Sequence, residues 1–225
     1  MCGRFTLTAN DRKRLGERFG APLPEDAVLE RFNVAPTEPV LVVRKEPRVA
    51  QVVRWGLIPP WTDTPPKGAP LINARVETVF ERRPFADLAG EPRSRCLVIA
   101  DGFYEWMRPE SPKARRVPVR FARADGEPFA FAGLYCRRSC TILTCTPNAM
   151  VTRLHDRMPV ILAGPGDEAA WLTGAIGAGD LPGLCRPLDA GLMAGVPASP
   201  RLNRAGEEGP DLLVAEPAGE QISLL

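Results

Sequence analysis

Histidine is nearly missing from this chain: His155 is the only one in 225 residues. There is no CxxC pair either, and the six cysteines (Cys2, Cys96, Cys136, Cys140, Cys145 and Cys185) are scattered. The ligand spacing of a structural zinc site is therefore absent, and no metal or cofactor is expected. No apolar stretch approaches the ~18 residues that cross a bilayer, so a membrane role is not expected. The run Asp11 to Arg14 interrupts any apolar core of a secretory signal. A cytoplasmic protein is the expectation, nucleoid-associated if the source is bacterial, and disulfides are not expected. Cys96 and Cys145 lie in apolar runs and read as core thiols. Lysine is scarce as well, with four among the 29 basic residues and arginine supplying the rest. Arginine suits bidentate phosphate contacts, but a genome rich in arginine codons explains the same bias. The net charge of +2 permits a nucleic-acid partner without demanding one.

What is present is ordinary for a globular domain. Apolar residues make up 44% and charged residues 25%, and a chain of this length buries a core without staples. No internal repeat is visible. Asn10 to Phe19 reads as a helix stopped by Gly20, and Val40–Val43 and Val49–Trp55 as a hairpin turning near Glu46-Pro47. Gly56 to Pro70 is a long proline-rich loop, and Glu77 to Leu88 reads as a weak helix broken at Pro84. Cys96–Ala100 is a fully apolar strand running into a bend, Asp101–Trp106. Val117–Arg123, Phe129–Tyr135, Cys140–Cys145 and Pro159–Leu162 are further strands. Thr146-Pro147 is a good helix start, predicting a helix over Asn148 to Leu154, and Asp167 to Leu172 reads as another. The βαβ alternation of a doubly wound fold is missing. The expectation is one α+β domain over residues 1–203, with a curled, mainly antiparallel, barrel-like sheet and short peripheral helices. Residues 204–225 are expected to form a flexible tail.

Cys2 is the most telling residue. Removal of Met1 leaves a thiol and an α-amine on neighbouring carbons, with ordinary pKa values near ~8.5 and ~8. Such a 1,2-aminothiol condenses with an aldehyde to a Schiff base and then to a thiazolidine ring. A small second residue that merely permits Met1 removal is the simpler reading. Asn73 follows an apolar run and can orient an amine or hold an oxyanion, or it stabilises a turn. Glu105, between Tyr104 and Trp106, is either a desolvated acid–base group or an exposed strand-end carboxylate. His155 is suited to moving protons near neutrality, although a lone histidine is more often structural. Trp55 precedes the proline-rich loop and Trp61 lies within it. Such rings stack on unpaired bases, but for Trp55 core packing is preferred.

Six ordered blocks then carry a resemblance. They are Cys2-Gly3-Arg4-Phe5, Asn33-Val34-Ala35-Pro36-Thr37, Trp55-Gly56-Leu57-Ile58-Pro59, Asn73-Ala74-Arg75-Val76-Glu77-Thr78, Asp101-Gly102-Phe103-Tyr104-Glu105-Trp106 and His155 to Leu162. From Cys2 to about Asn203 the chain resembles the SRAP family, the SOS-response-associated peptidases understood as abasic-site processing proteins. The resemblance implies a monomer that loses Met1, by its own peptidase activity or otherwise, and captures abasic sites in single-stranded DNA covalently through Cys2. It implies that Asn73 positions the amine or the sugar oxygen, and that Glu105 shuttles protons. It further implies that His155 assists at the sugar O4′ and in reversal. Arg4, Pro36, Trp61, Arg75 and Trp106 would contact DNA.

Three other readings use the same residues. A class II glutamine amidotransferase also has an N-terminal cysteine, but no accompanying synthase domain is expected here and the Glu105 and His155 blocks do not belong to that family. A thiol peptidase would use Cys2, His155 and Glu105 as nucleophile, base and orienting group. A non-covalent single-strand DNA-binding module would leave Cys2 incidental.

Overall fold

The computed structural model describes residues 2–45, 48–107, 116–174 and 176–215. The elements run β1 (Phe5–Leu7), α1 (Arg12–Phe19), β2 (Arg31–Val34), β3 (Pro39–Arg44), β4 (Val49–Trp55), β5 (Asn73–Arg75), α2 (Ala86–Ala89), β6 (Arg95–Ala100) and β7 (Gly102–Trp106). They continue with β8 (Pro118–Arg123), β9 (Phe129–Cys136), β10 (Ser139–Cys145), β11 (Met158–Pro159), β12 (Ile161–Leu162), α3 (Pro165–Thr173), α4 (Leu181–Leu184) and β13 (Met193–Pro197).

The apolar runs close into a five-stranded barrel. β3 pairs antiparallel with both β4 and β6, and β9 antiparallel with both β6 and β10. A parallel contact between β4 and β10 seals the ring. Every residue of β6 and of β10 is buried, as expected of strands covered on both faces. Gly133 on β9 makes the tight curvature possible, since a Cβ there would stand 2.9 Å from Cys96 Sγ and from Val98 Cγ2. A second, wholly antiparallel sheet runs β13-β8-β7-β1-β2. Aromatic rings bolt the two sheets together. Phe5 of β1 meets Trp55 at 5.1 Å and Phe131 at 5.7 Å, and Phe103 of β7 meets Phe131 at 6.4 Å, all edge-to-face. Contacts of this kind contribute about 1 kcal/mol each beyond burial. They fix β1, and hence the N-terminal segment, against the barrel.

The expected α+β class and barrel-like core are present, and several local expectations need correction. The helix over Asn148 to Leu154 is a single 3₁₀ turn, Val151–Arg153. Asn148 intervenes: its Oδ1 accepts from the amides of Met150 and Val151, while its Nδ2 donates to Leu188 O. Glu77 to Leu88 is not one broken helix but a 3₁₀ turn, Val76–Thr78, and the four residues of α2. Pro84 has no N–H to extend either. Asp101–Trp106 is no bend beyond its first residue, because β7 takes the rest. The α1 prediction holds nearly to the residue, with Asp11 capping the Arg14 amide and Gly20 in the left-handed conformation at φ 63°. The turn at Glu46-Pro47 lies outside the described residues. The flexible tail expected from 204 onward is packed at least to residue 213. Leu212 is fully buried, and Glu208 Oε2 accepts from the amides of Phe32 and Asn33. Residues 216–225 lie outside the described residues.

Candidate active site

Strand register brings the first site residues together. Phe5 pairs with Phe103, and the Tyr104 amide donates to Arg4 O at 3.0 Å. Glu105 therefore lies alongside Gly3, one residue from Cys2, and its charge is felt at the Cys2 thiol. Asn73 arrives from the other sheet. β5 runs parallel to β10 with Asn73 opposite Ile142, and Asn73 Nδ2 donates to Cys2 O at 2.8 Å. Its Oδ1 is buried with no hydrogen-bond partner among the described residues. His155 sits in the loop between β10 and β11. Arg157 pins that loop through a bidentate pair with Glu77, at 2.7 and 2.8 Å, and a further hydrogen bond to Thr144 O.

The electrostatics differ from what ordinary pKa values would give. Cys2 is wholly buried, and burial, followed by the charge of Glu105, pushes its thiol well above the usual range. The thiol proton points to Arg4 O, 3.5 Å away. The ordinary cysteine value of ~8.5 thus overstates its thiolate character. Glu105 is not an exposed strand-end carboxylate, being only 3% exposed. Desolvation drives its pKa up to about 7, the positive amino terminus pulls it back, and Asp156 adds to the rise. The influence of Asp156 places the His155 loop within electrostatic reach of Glu105. His155 Nδ1 lies 3.0 Å from the Arg157 amide, which donates to it, and 2.9 Å from Asp156 Oδ1. A neutral imidazole accepts the amide and carries its proton on Nε2, whereas an imidazolium turns to the carboxylate.

The residues expected to contact DNA fall into two groups. Arg4, Arg75 and Trp106 adjoin the Cys2 cluster in sequence and register. Arg75 follows Asn73 by two residues on β5 and is exposed. Trp106 is next to Glu105 and half-buried, its Nε1 donating to Asn203 Oδ1 at 2.9 Å. Pro36 is half-buried in the turn after β2. Trp61, 56% exposed, stands on the proline-rich loop under the Arg83 guanidinium, 4.7 Å from its ring centre. Among the described residues no hydrogen bond or ring contact joins Trp61 to the Cys2 cluster. Trp55 is core, fully buried and bonded through Nε1 to Ile72 O. Sequence reasoning missed three supporting residues: Asn33, which binds Arg4; Glu77, which holds Arg157; and Glu208. The first two lie inside the quoted motifs, and their burial partners are far away in sequence. Among the described residues no cluster of three or more metal-ligating side chains forms, and no helix is long and apolar enough to cross a membrane.

Known proteins share both sequence and fold. The chain is 36% identical over 227 residues to the abasic site processing protein YoqW of Bacillus subtilis, covering 95% of this chain and 99% of that one. It is 33% identical to the abasic site processing protein YedK of Escherichia coli, over 76% of this chain and 79% of that one. The mouse abasic site processing protein HMCES is 26% identical over 95% of this chain and 75% of its own length. A crystal structure of a Bacteroides thetaiotaomicron protein superposes with a TM-score of 0.81 at 20% identity, covering 96% of this chain and all of that one. Residues 1–205 match the model of the SOS response associated peptidase (SRAP) family, and the chain belongs to that family.

Proposed function

We propose that this protein processes abasic sites by crosslinking to them in single-stranded DNA through the α-amine and thiol of Cys2 after Met1 is removed. The observation that carries the reading is the convergence of Asn73 and Glu105 on Cys2 from two different sheets. An abasic site offers a masked aldehyde and no base to read. The open-chain aldehyde forms a Schiff base with the amine, and losing water from the carbinolamine requires an acid. Glu105, half-protonated near pH 7, is that acid and afterwards a base. Asn73 anchors the Cys2 carbonyl, and its unpartnered Oδ1 is an acceptor for the liberated amine. His155, whose Nδ1 faces the Arg157 amide, is a proton donor for the sugar O4′. Arg4 and Arg75 take the flanking phosphates, with Trp106, Pro36 and Trp61 beside the strand. The protein acts as a monomer, and its hydrolytic step is the loss of Met1.

A single experiment tests this. The protein is incubated with single-stranded DNA bearing one abasic site, denatured and run on a gel. A stable slow-migrating adduct should form with native protein whose mass lacks Met1. It should vanish for Cys2→Ala and for protein acetylated at its amino terminus. Binding without an adduct would instead mark a non-covalent DNA-binding module, and glutamine hydrolysis an amidotransferase. An adduct that survives acetylation sinks the mechanism.

A further inference from the structure

The Arg4 guanidinium is held by one nitrogen only. Nη1 has two hydrogens, and the protein uses both: one goes to Asn33 Oδ1 at 3.1 Å and the other to Leu202 O at 3.0 Å. Nε and Nη2 have no hydrogen-bond partner among the described residues, and the side chain is half-buried. They form the edge of the fork that matches two oxygens of a phosphate. Asn33 is itself fixed. It is 1% exposed, and its Nδ2 donates to Arg204 O at 3.1 Å and Glu207 O at 3.0 Å. Glu208 closes the frame, with Oε2 accepting from the amides of Phe32 at 2.6 Å and Asn33 at 3.2 Å, and Oε1 pairing with Arg31 at 2.9 Å. The same segment reaches Trp106 through Asn203. Residues 206–213 lie beyond the region matched by the family model, yet they grip the strand that carries Asn33.

We propose that Asn33 and Glu208 are positioning residues that aim the open edge of Arg4 at a DNA phosphate, so that the C-terminal segment 199–213 is part of the DNA-binding apparatus. The proposal rests on the functional reading above, specifically on Arg4 as a phosphate contact. A guanidinium on a free side chain samples many rotamers. One tethered through both hydrogens of Nη1 presents its remaining donors without that entropic loss on binding.

The test is the salt dependence of non-covalent binding. Single-stranded DNA carrying a tetrahydrofuran abasic analogue has no aldehyde, so binding is read without the adduct. Each lost phosphate contact on a single strand lowers the slope of log K against log salt by about 0.7. Arg4→Ala should lower it by that amount, and Asn33→Ala and Glu208→Ala by most of it. Adding Asn33→Ala or Glu208→Ala to Arg4→Ala should change the slope no further, the signature of residues acting through Arg4. Glu208→Gln, which keeps an acceptor oxygen for the two amides, should behave as native. Asn33→Ala removes a buried group, so Glu208, at the edge of the frame, decides the matter if that variant fails to fold. Slopes that fall additively with Arg4→Ala, or a native slope in Glu208→Ala, overturn the positioning role. A native slope in Arg4→Ala removes the phosphate contact, and this proposal with it. The denaturing-gel adduct scores Cys2 chemistry separately, so the two failures are distinguishable.

Discussion

Replacing Glu105 with glutamine should make the protein more stable at pH 8 and slower at crosslinking. The carboxyl is almost fully buried, and its pKa stands at about 7 against an ordinary 4.5. Ionising it in the folded chain therefore costs roughly 3 kcal/mol more than in the unfolded chain. Between pH 4.5 and 7 the unfolded chain has already released a proton that the folded chain keeps. The folded state binds more protons there, and stability falls as pH rises. The loss is absent below about pH 4.5 and complete above about pH 7. Glutamine fills the same volume and carries no charge at any pH. Urea denaturation of both proteins at pH 4.5 and pH 8 isolates the effect, because every other titrating group is shared. The difference in unfolding free energy, variant minus native, should rise by up to about 3 kcal/mol between the two pH values. The crosslinking rate should fall about 100-fold or more, the scale of a lost general acid. The native rate should also depend on pH with an apparent pKa near 7. A difference that stays flat across this range would mean that burial does not raise the Glu105 pKa. An unchanged rate would remove it from the chemistry.

His155→Ala should slow reversal of the adduct more than its formation, read by following DNA release after a chase with competitor. Equal reversal rates for variant and native protein contradict the role assigned to it. Glu77→Ala removes the carboxylate that orients Arg157, and with it the anchor of the His155 loop. Thermal or urea unfolding should show a loss of about 1–2 kcal/mol, discounted because Glu77 is half exposed. The anchoring has a pH sign: Arg157 lowers the pKa of Glu77, so the contribution is full above the ordinary carboxylate pKa and lost as pH falls through the lowered one. If reversal in Glu77→Ala matches native reversal, the loop is held in place by other means.

What was legible in the sequence was local or motif-borne. The apolar run Cys96–Ala100 announced a doubly covered strand because no polar residue interrupts it, and α1 declared its end through Gly20. The family was legible because the Cys2, Asn73, Glu105 and His155 blocks each keep their own short pattern. Most of the missed features depend on partners distant in sequence. Asn148 diverted a predicted helix by bonding amides two and three residues ahead while also reaching Leu188. β1 and β5 are three residues each, too short for a period, and exist because β7 and β10 offer them a ladder. The polar segment after Asn203 looked like a tail, since only two of its residues, Leu212 and Leu213, are strongly apolar before Val214. Yet Glu208 and buried Leu212 tie it to β2, 176 positions away for the Phe32 contact. The raised pKa of Glu105 is one of the two readings its aromatic neighbours leave open, whereas the suppressed Cys2 thiol is not signalled by the sequence. Burial of residue 2 is a property of the assembled sheets.

That suppressed thiol orders the proposed chemistry. A protonated, buried sulfur is a poor first nucleophile, since the thiolate is the reactive form. In the proposed scheme the amine attacks the aldehyde first, and Glu105 as the neutral acid gives the proton that leaves with water. The same step leaves Glu105 ionised beside the thiol. The iminium carries a positive charge next to the sulfur, which lowers the cost of forming thiolate just when it is needed. Glu105 then takes the thiol proton as sulfur closes the ring, and the carboxyl returns to its starting state. Amine, aldehyde and thiol become thiazolidine and one water, with no proton gained or lost overall. One buried carboxylate with a pKa near the working pH serves both steps. A surface carboxylate near ~4.5 would rarely hold the proton that the first step requires.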